Sequence, residues 1–192
     1  MNVAVNILIV GVGGQGTLLA SKIIGGAAIE TGCDVKVSEV HGMSQRGGSV
    51  VTYVRYSKED VASPIIERGE ADIILAFELL EAYRSISYLK KGGRLIIGTQ
   101  EIAPMPVITG AAKYPEDILS KLKEAGINAC AIDAMALAKK AGSEKAANVV
   151  MIGKMAAESE IDKEIWVNVI KQTVKPKFAE MNVNAFLLGY EA

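Results

Sequence analysis

Two glycine-rich runs hold the residues of this chain whose types and spacing suit chemistry. The first, Gly11-Val12-Gly13-Gly14-Gln15-Gly16, follows the apolar run Ile7-Leu8-Ile9-Val10 and precedes Thr17-Leu18-Leu19-Ala20 at helical spacing. Glycines in the G-x-G-x-x-G order let a strand turn sharply into a helix, let a ligand or neighbouring backbone come close, and leave the first helical N–H groups pointing outward. The chemistry this permits is capture of a phosphate or other anion. The alternative is tight helix-strand packing or contact with a partner's backbone. The second run is His41-Gly42-Met43-Ser44-Gln45-Arg46-Gly47-Gly48. Arg46 has no bulk after it, which suits either a bidentate contact to a carboxylate or phosphate or a local cap on loop carbonyls. His41 is the one imidazole of the chain, and with no nucleophile or partner carboxylate evident beside it, it is expected to be a hydrogen-bonded loop residue. Glu39 lies where a dinucleotide-binding domain places the acid that holds ribose hydroxyls, although the loop after it departs from that pattern. Glu78 and Glu81, three apart, are expected at a solvated or interfacial helix start rather than as an acid-base pair. The candidate residues are therefore Gly11, Gly13, Gly14, Gln15, Gly16, Arg46, Gly47 and Gly48, as binding or partner-contact loops. No catalytic residue and no metal ligand set is assigned.

The elements that must position these loops alternate between strand and helix patterns. Residues 6–10 read as a strand, Thr17 opens a helix that Thr31-Gly32 ends, and residues 34–40 and 49–56 alternate as two further strands. A short extended segment at 63–66 leads to a buried strand at 73–77. A helix is expected from Glu78 through Leu89, closed by Lys90, Lys91 and the pair Gly92-Gly93, with a strand at 94–98 after it. Residues 102–114, with Pro104 and Pro106, read as an irregular connection carrying a short edge strand at Val107-Ile108. Pro115-Glu116-Asp117 is expected to begin a helix to about Ala125, and residues 128–132 form the last strand, with Asp133 capping the next helix. From about residue 133 the pattern is helical, at 133–141, 146–158, 162–173 and 176–189. The second of these is apolar on more than one face and is expected to be buried in the core or under another subunit. The expected fold is α/β, one Rossmann-like domain over residues 1–192 with a mostly parallel sheet and a helical C-terminal segment.

Composition narrows the partners. Twenty-one basic residues against 22 acidic ones give no field that would draw a nucleic acid or an anionic membrane. A chain that is 50% hydrophobic with a net charge near zero suits a subunit that covers part of its surface with a partner. Cys33 and Cys130 match no metal or redox spacing, so two reduced thiols in a cytoplasmic protein are expected, and two cysteines cannot build an iron-sulfur cluster. The opening apolar run has no basic flank and is too short to span a bilayer, so it reads as the first strand.

Taken together, the first glycine run, the stretch Glu39-Val40-His41-Gly42-Met43-Ser44-Gln45-Arg46-Gly47-Gly48-Ser49-Val50, residues 72–78 and Tyr114-Pro115 resemble the gamma-type subunits of 2-oxoacid:ferredoxin oxidoreductases. The His-Gly-Met-Ser-Gln-Arg-Gly-Gly form is most similar to the small (beta) subunits of the indolepyruvate branch. It departs from the Gly-x-Glu-x-Arg-Gly-Gly form of other gamma-type members, since no acid precedes Arg46. The resemblance covers nearly the whole chain. It implies an accessory role in a heteromeric complex of anaerobic amino-acid catabolism. There an arylpyruvate is decarboxylated, electrons pass to ferredoxin, and coenzyme A, the co-substrate, takes the acyl group. Thiamine diphosphate, Mg and [4Fe-4S] clusters are implied on the large (alpha) subunit, the direct partner, and ferredoxin is reached through the complex. This chain lacks the Gly-Asp-Gly motif and Asn-bearing stretch that hold magnesium and diphosphate, and no cofactor is assigned to it. With the family in view, the glycine runs are read as sites for a phosphate of coenzyme A or as partner contacts. The competing reading is an independent NAD(P)- or flavin-binding oxidoreductase built on residues 11–16 and Glu39.

Overall fold

The structure is a computed structural model and describes residues 4–41 and 48–192, with His41 described by its backbone alone. The first strand, β1 (Val5–Val12), runs through the centre and turns at the glycines into α1 (Thr17–Glu30). After it come β2 (Asp34–His41) and β3 (Ser49–Ser57). Only residues 42–48 separate these two strands, too few for the crossover of a dozen or more residues that a parallel return needs. The chain therefore comes back antiparallel, and β3 enters the sheet between β2 and β1. The remaining strands, β4 (Ala71–Ala76), β5 (Leu89–Gly98) and β6 (Ala129–Ile132), continue outward from β1 in parallel. Among the described residues the order is β2-β3-β1-β4-β5-β6, with β3 alone reversed, a mostly parallel sheet as expected.

Alternation along β1 splits the core in two. Ile7 and Ile9 face α1 and the C-terminal helices, whereas Leu8 and Val10 face α2 (Leu79–Ser85) on the other side. All four are essentially inaccessible, and each such side chain removed from water contributes about 1.5–3 kcal/mol. The tail consists of α5 (Ala134–Ala141), α6 (Ala147–Ala156), α7 (Lys163–Thr173) and α8 (Ala179–Tyr190). It packs back on the first face through Val149, Ile152, Trp166 and Phe186, and Trp166 donates from its indole to Ile161 O at 3.2 Å. As expected, α6 is buried on more than one side.

Three stretches fold differently from their sequence pattern. The helix opened by Glu78 stops at Ser85; one 3-10 turn over Ile86–Tyr88 follows, and Leu89 is already strand, paired with Ala71. Lys90-Lys91-Gly92-Gly93 is an irregularity inside β5 rather than a helix end, and Lys90 bridges to Asp72 at 2.9 Å. Val107-Ile108 belongs to a short helix, α3 (Met105–Ile108), which Pro104 precedes, instead of an edge strand. The helix expected from Pro115 begins only at Ile118 as α4 (Ile118–Glu124), because Asp117 takes the left-handed conformation, φ 57°, just before it.

Candidate functional site

The reversed strand brings Gly48, the last residue of the second glycine run, against the first run. β1 and β3 pair with Val12 opposite Ser49 and Gly11 opposite Val50, so the exit of the second run lies against the turn of the first. Gly13 N–H donates to Gly48 O at 2.9 Å across that junction. Arg46 and Gly47 lie outside the described residues, as does the side chain of His41.

Within the first run the side chain of Gln15 organises the turn. Its Oε1 accepts from Val12 N–H at 2.7 Å, and its Nε2 donates to Phe77 O and to Gln100 Oε1, both at 3.0 Å. One carboxamide thus ties the end of β1 to the end of β4 and to the segment after β5. Gly11 makes room for it: a Cβ there would lie 2.8 Å from Gln15 Oε1 and 3.3 Å from Phe77 Cβ. Gly16, the residue before α1, has φ 83°, and a Cβ on it would run into the amide of Asn148. That buried amide donates to Gly16 O at 3.2 Å, pinning α6 to the turn. Gly11 and Gly16 therefore serve packing, while Gly14 is exposed and faces open space.

Gly14 and Gln15 border a cleft of about 240 Å³, lined also by Thr99, Gln100, Lys145 and Asn148. It lies at the carboxyl ends of the parallel strands, where the connection after β1 goes to one face and the connection after β4 to the other. Crevices at such a switch point are where open α/β sheets bind ligands. Gln15→Ala is expected to cost about 2 kcal/mol, since it leaves Val12 N–H and Phe77 O without their partner. Gln100→Ala, which removes a single link, should lower the melting temperature clearly less.

Glu39 is engaged elsewhere. Its Oε2 accepts from Thr17 Oγ1 at 3.1 Å and from Thr52 Oγ1 at 3.0 Å. The carboxylate sits beside the first turn of α1, where the helix dipole favours negative charge. A dinucleotide needs the strand bearing that acid beside β1, but here β3 stands between them. The dinucleotide reading is not favoured by this geometry.

Glu78 and Glu81 are buried rather than solvated, 1% and 4% exposed. Glu78 Oε2 caps α2 by accepting from Glu81 N–H at 2.8 Å; its Oε1 accepts from Tyr114 Oη at 2.5 Å and from Ile102 N–H at 3.0 Å. Burial and the bond to Glu78 hold the Tyr114 phenol well above its ordinary pKa, so it remains a donor. Glu81 accepts from Ser49 Oγ at 2.5 Å and from Arg84 at 2.7 Å. The two carboxylates brace both the exit of the second glycine run and the connection after β5. Sequence reading placed Glu78 at a helix start and quoted Tyr114 in the resemblance, but gave Gln100, Tyr114 and Asn148 no part at the site. Of these, Asn148, a lone amide in an apolar helix, carried a local signal of its own.

The sequence profile of the pyruvate ferredoxin/flavodoxin oxidoreductase family matches residues 6–192. The chain belongs to this family. Among its relatives, the indolepyruvate oxidoreductase subunit IorB of Thermococcus kodakarensis is 45% identical over 97% of this chain and 95% of that protein. The gamma subunit of a keto/oxoacid ferredoxin oxidoreductase from Geobacter sulfurreducens has the same fold, with a TM-score of 0.72, 27% identity and coverage of 97% of this chain and 96% of that one. In the 2-oxoglutarate:ferredoxin oxidoreductase of Magnetococcus marinus the match has a TM-score of 0.74 and 20% identity, covering 98% of this chain but 30% of that one. There the same fold is one part of a longer oxidoreductase chain. The first glycine run of this family member, with Gly48 beside it, thus sits on a reversed-strand variant of the doubly wound sheet.

Proposed function

We propose that the chain, as one gamma-type domain over residues 1–192, is the accessory subunit of a cytoplasmic indolepyruvate or related arylpyruvate:ferredoxin oxidoreductase. The complex decarboxylates the 2-oxoacid, passes two electrons to ferredoxin and joins the acyl group to coenzyme A. The observation that carries this reading is the 45% identity, along nearly the full length of both chains, with a protein named as an indolepyruvate oxidoreductase subunit. In this reading the large alpha subunit holds thiamine diphosphate, Mg and the [4Fe-4S] clusters. The donors of the present chain do not fit a cluster: Cys33 precedes β2 and Cys130 lies on β6, at opposite edges of the sheet. Five strand spacings separate those edges, about 24 Å. Among the described residues no three metal-binding side chains converge, and no helix is long and apolar enough to cross a membrane.

Coenzyme A is bound in the Magnetococcus enzyme that shares the fold. The cleft beside Gly14 and Gln15, lined by Gln100 and Lys145, offers amides and a cation to its phosphates, and Arg46 is the second candidate that the sequence supplies for them. Mixing the chain with its large subunit is expected to give coenzyme A-dependent reduction of ferredoxin by indolepyruvate or phenylpyruvate, with neither chain active alone. An isolated chain holding stoichiometric NAD or flavin and turning over a substrate would overturn the assignment. In the complex, Arg46→Ala is expected to raise the KM for coenzyme A about 10- to 100-fold with kcat nearly unchanged, the signature of a lost charge-assisted contact. An unchanged KM with unchanged assembly would leave the second run a structural part only.

A further inference from the structure

The cleft beside the first glycine run has a polarity that its hydrogen bonds fix. They start from a backbone group whose role cannot change: Val12 N–H only donates, so the Gln15 atom facing it at 2.7 Å is the oxygen. The other end of that carboxamide is then the NH2, which donates to Phe77 O and to the side chain of Gln100, both at 3.0 Å. Gln100 must therefore meet Gln15 with its own oxygen, and that leaves its NH2 on the other side of the amide. Turning Gln100 over would set two NH2 groups face to face. Among the described residues the Gln100 NH2 has no acceptor, and no buried side-chain nitrogen or oxygen lacks a partner, so this NH2 is accessible on a residue that lines the cleft.

The rest of the lining has the same bias toward donors. Asn148 Oδ1 accepts from Val149 N–H at 2.9 Å, and the backbone oxygens of Phe77 and Gln100 are taken by Gln15 and by Leu79 N–H. Glu144, the one carboxylate of the lining, pairs with Lys139 at 2.9 Å. On the donor side, Lys145 forms no ion pair and Gly14 N–H has no acceptor among the described residues. An amide NH2, an ammonium and a backbone N–H around one cleft suit an anionic oxygen.

We infer that Gln100 donates from Nε2 to a phosphate oxygen of coenzyme A, so that it is a ligand contact as well as a link to the glycine turn. The inference rests on the coenzyme A reading of the cleft and deepens it by naming the atom that meets the ligand. Because Gln15 and Val12 set the orientation of the amide, the donor is in place before the ligand arrives, and no reorientation opposes binding.

The test is coenzyme A binding to the assembled complex of this chain with its large subunit, by calorimetric titration without 2-oxoacid, with the KM for coenzyme A and for the 2-oxoacid measured beside it. Gln100→Glu keeps an oxygen for Gln15 Nε2, so its melting temperature and assembly should match wild type. It sets a negative charge where the ligand needs a donor, and the affinity for coenzyme A is expected to fall at least about 100-fold while the KM for the 2-oxoacid stays in place. Gln100→Met removes the donor without adding charge, and about 10-fold weaker binding is expected. Wild-type affinity in an assembled glutamate variant would overturn the inference and leave the subunit assignment standing. If that variant does not assemble, the methionine variant decides, and an affinity within about 2-fold of wild type overturns the contact. Absence of coenzyme A binding by the wild-type complex would overturn the reading of the cleft and the inference together.

Discussion

Alanine in place of Gly153 is expected to lower the stability of the chain by about 2–3 kcal/mol, and alanine in place of Gly189 to do the same. α6 and α8 cross where these two glycines meet each other's backbone. A Cβ on Gly153 would overlap Phe186 O and lie 2.9 Å from Tyr190 N, and a Cβ on Gly189 would overlap Val150 O and lie 3.0 Å from Val150 Cα. Backbone atoms cannot rotate away as a side chain can, so the helices must separate, loosening Val150, Phe186 and the stack of Phe186 with Trp166 at 6.4 Å. Overpacking of this kind costs about 3 kcal/mol or more, against a gain of about 1 kcal/mol that alanine brings to a helix interior. In a chain of this size the net loss corresponds to a melting temperature about 4–12 °C lower. Gly26 in α1 is the internal control. A Cβ there would meet Val169 Cγ1 at 2.8 Å, a side-chain atom that can move, and Gly26→Ala should stay within about 1 kcal/mol of wild type. Equal effects at Gly26 and Gly153 would show that the close crossing of α6 and α8 is not what these glycines serve.

How much could be read from the chain itself depends on the range of the forces involved. The turn at residues 11–16 and the caps at Asp133 and Glu78 are local, and the four C-terminal helices were legible because their apolar spacing persists over two or more turns. The insertion of β3 between β1 and β2 was not, since a hairpin's arms reveal that they pair with each other but not which arm then pairs with β1. Ile86 and Leu89 continue the helical spacing of α2, yet Leu89 finds Ala71 as a strand partner, and pairing outweighs the propensity of a short segment. At the site, the glycine positions were plain, and the part played by Gln15 was not: its partners Phe77 and Gln100 are 62 and 85 residues away. The same distance problem hid the burial of Glu78. A glutamate opening a helix reads as solvated unless one knows that Tyr114, 36 residues on, comes back to meet it.

That buried carboxylate is the second place where a single change should have a large effect. Glu78→Ala removes the acceptor for three donors at once, namely Glu81 N–H, Ile102 N–H and the Tyr114 hydroxyl. Hydrogen bonds to a charged group contribute about 1.5–3 kcal/mol each, but water can reach part of the vacated space, so the expected loss is about 3–4 kcal/mol. Glu78→Gln separates charge from shape. Both carboxylate oxygens accept, so an amide in either orientation sets its NH2 against a donor and loses at least one bond, for an expected cost of about 1–2 kcal/mol. Thermal unfolding should therefore rank wild type above glutamine and glutamine above alanine, with Tyr114→Phe, which deletes the donor to Glu78 and the acceptor of Leu80 N–H but keeps the Glu78 cap on Glu81 N–H, close to glutamine.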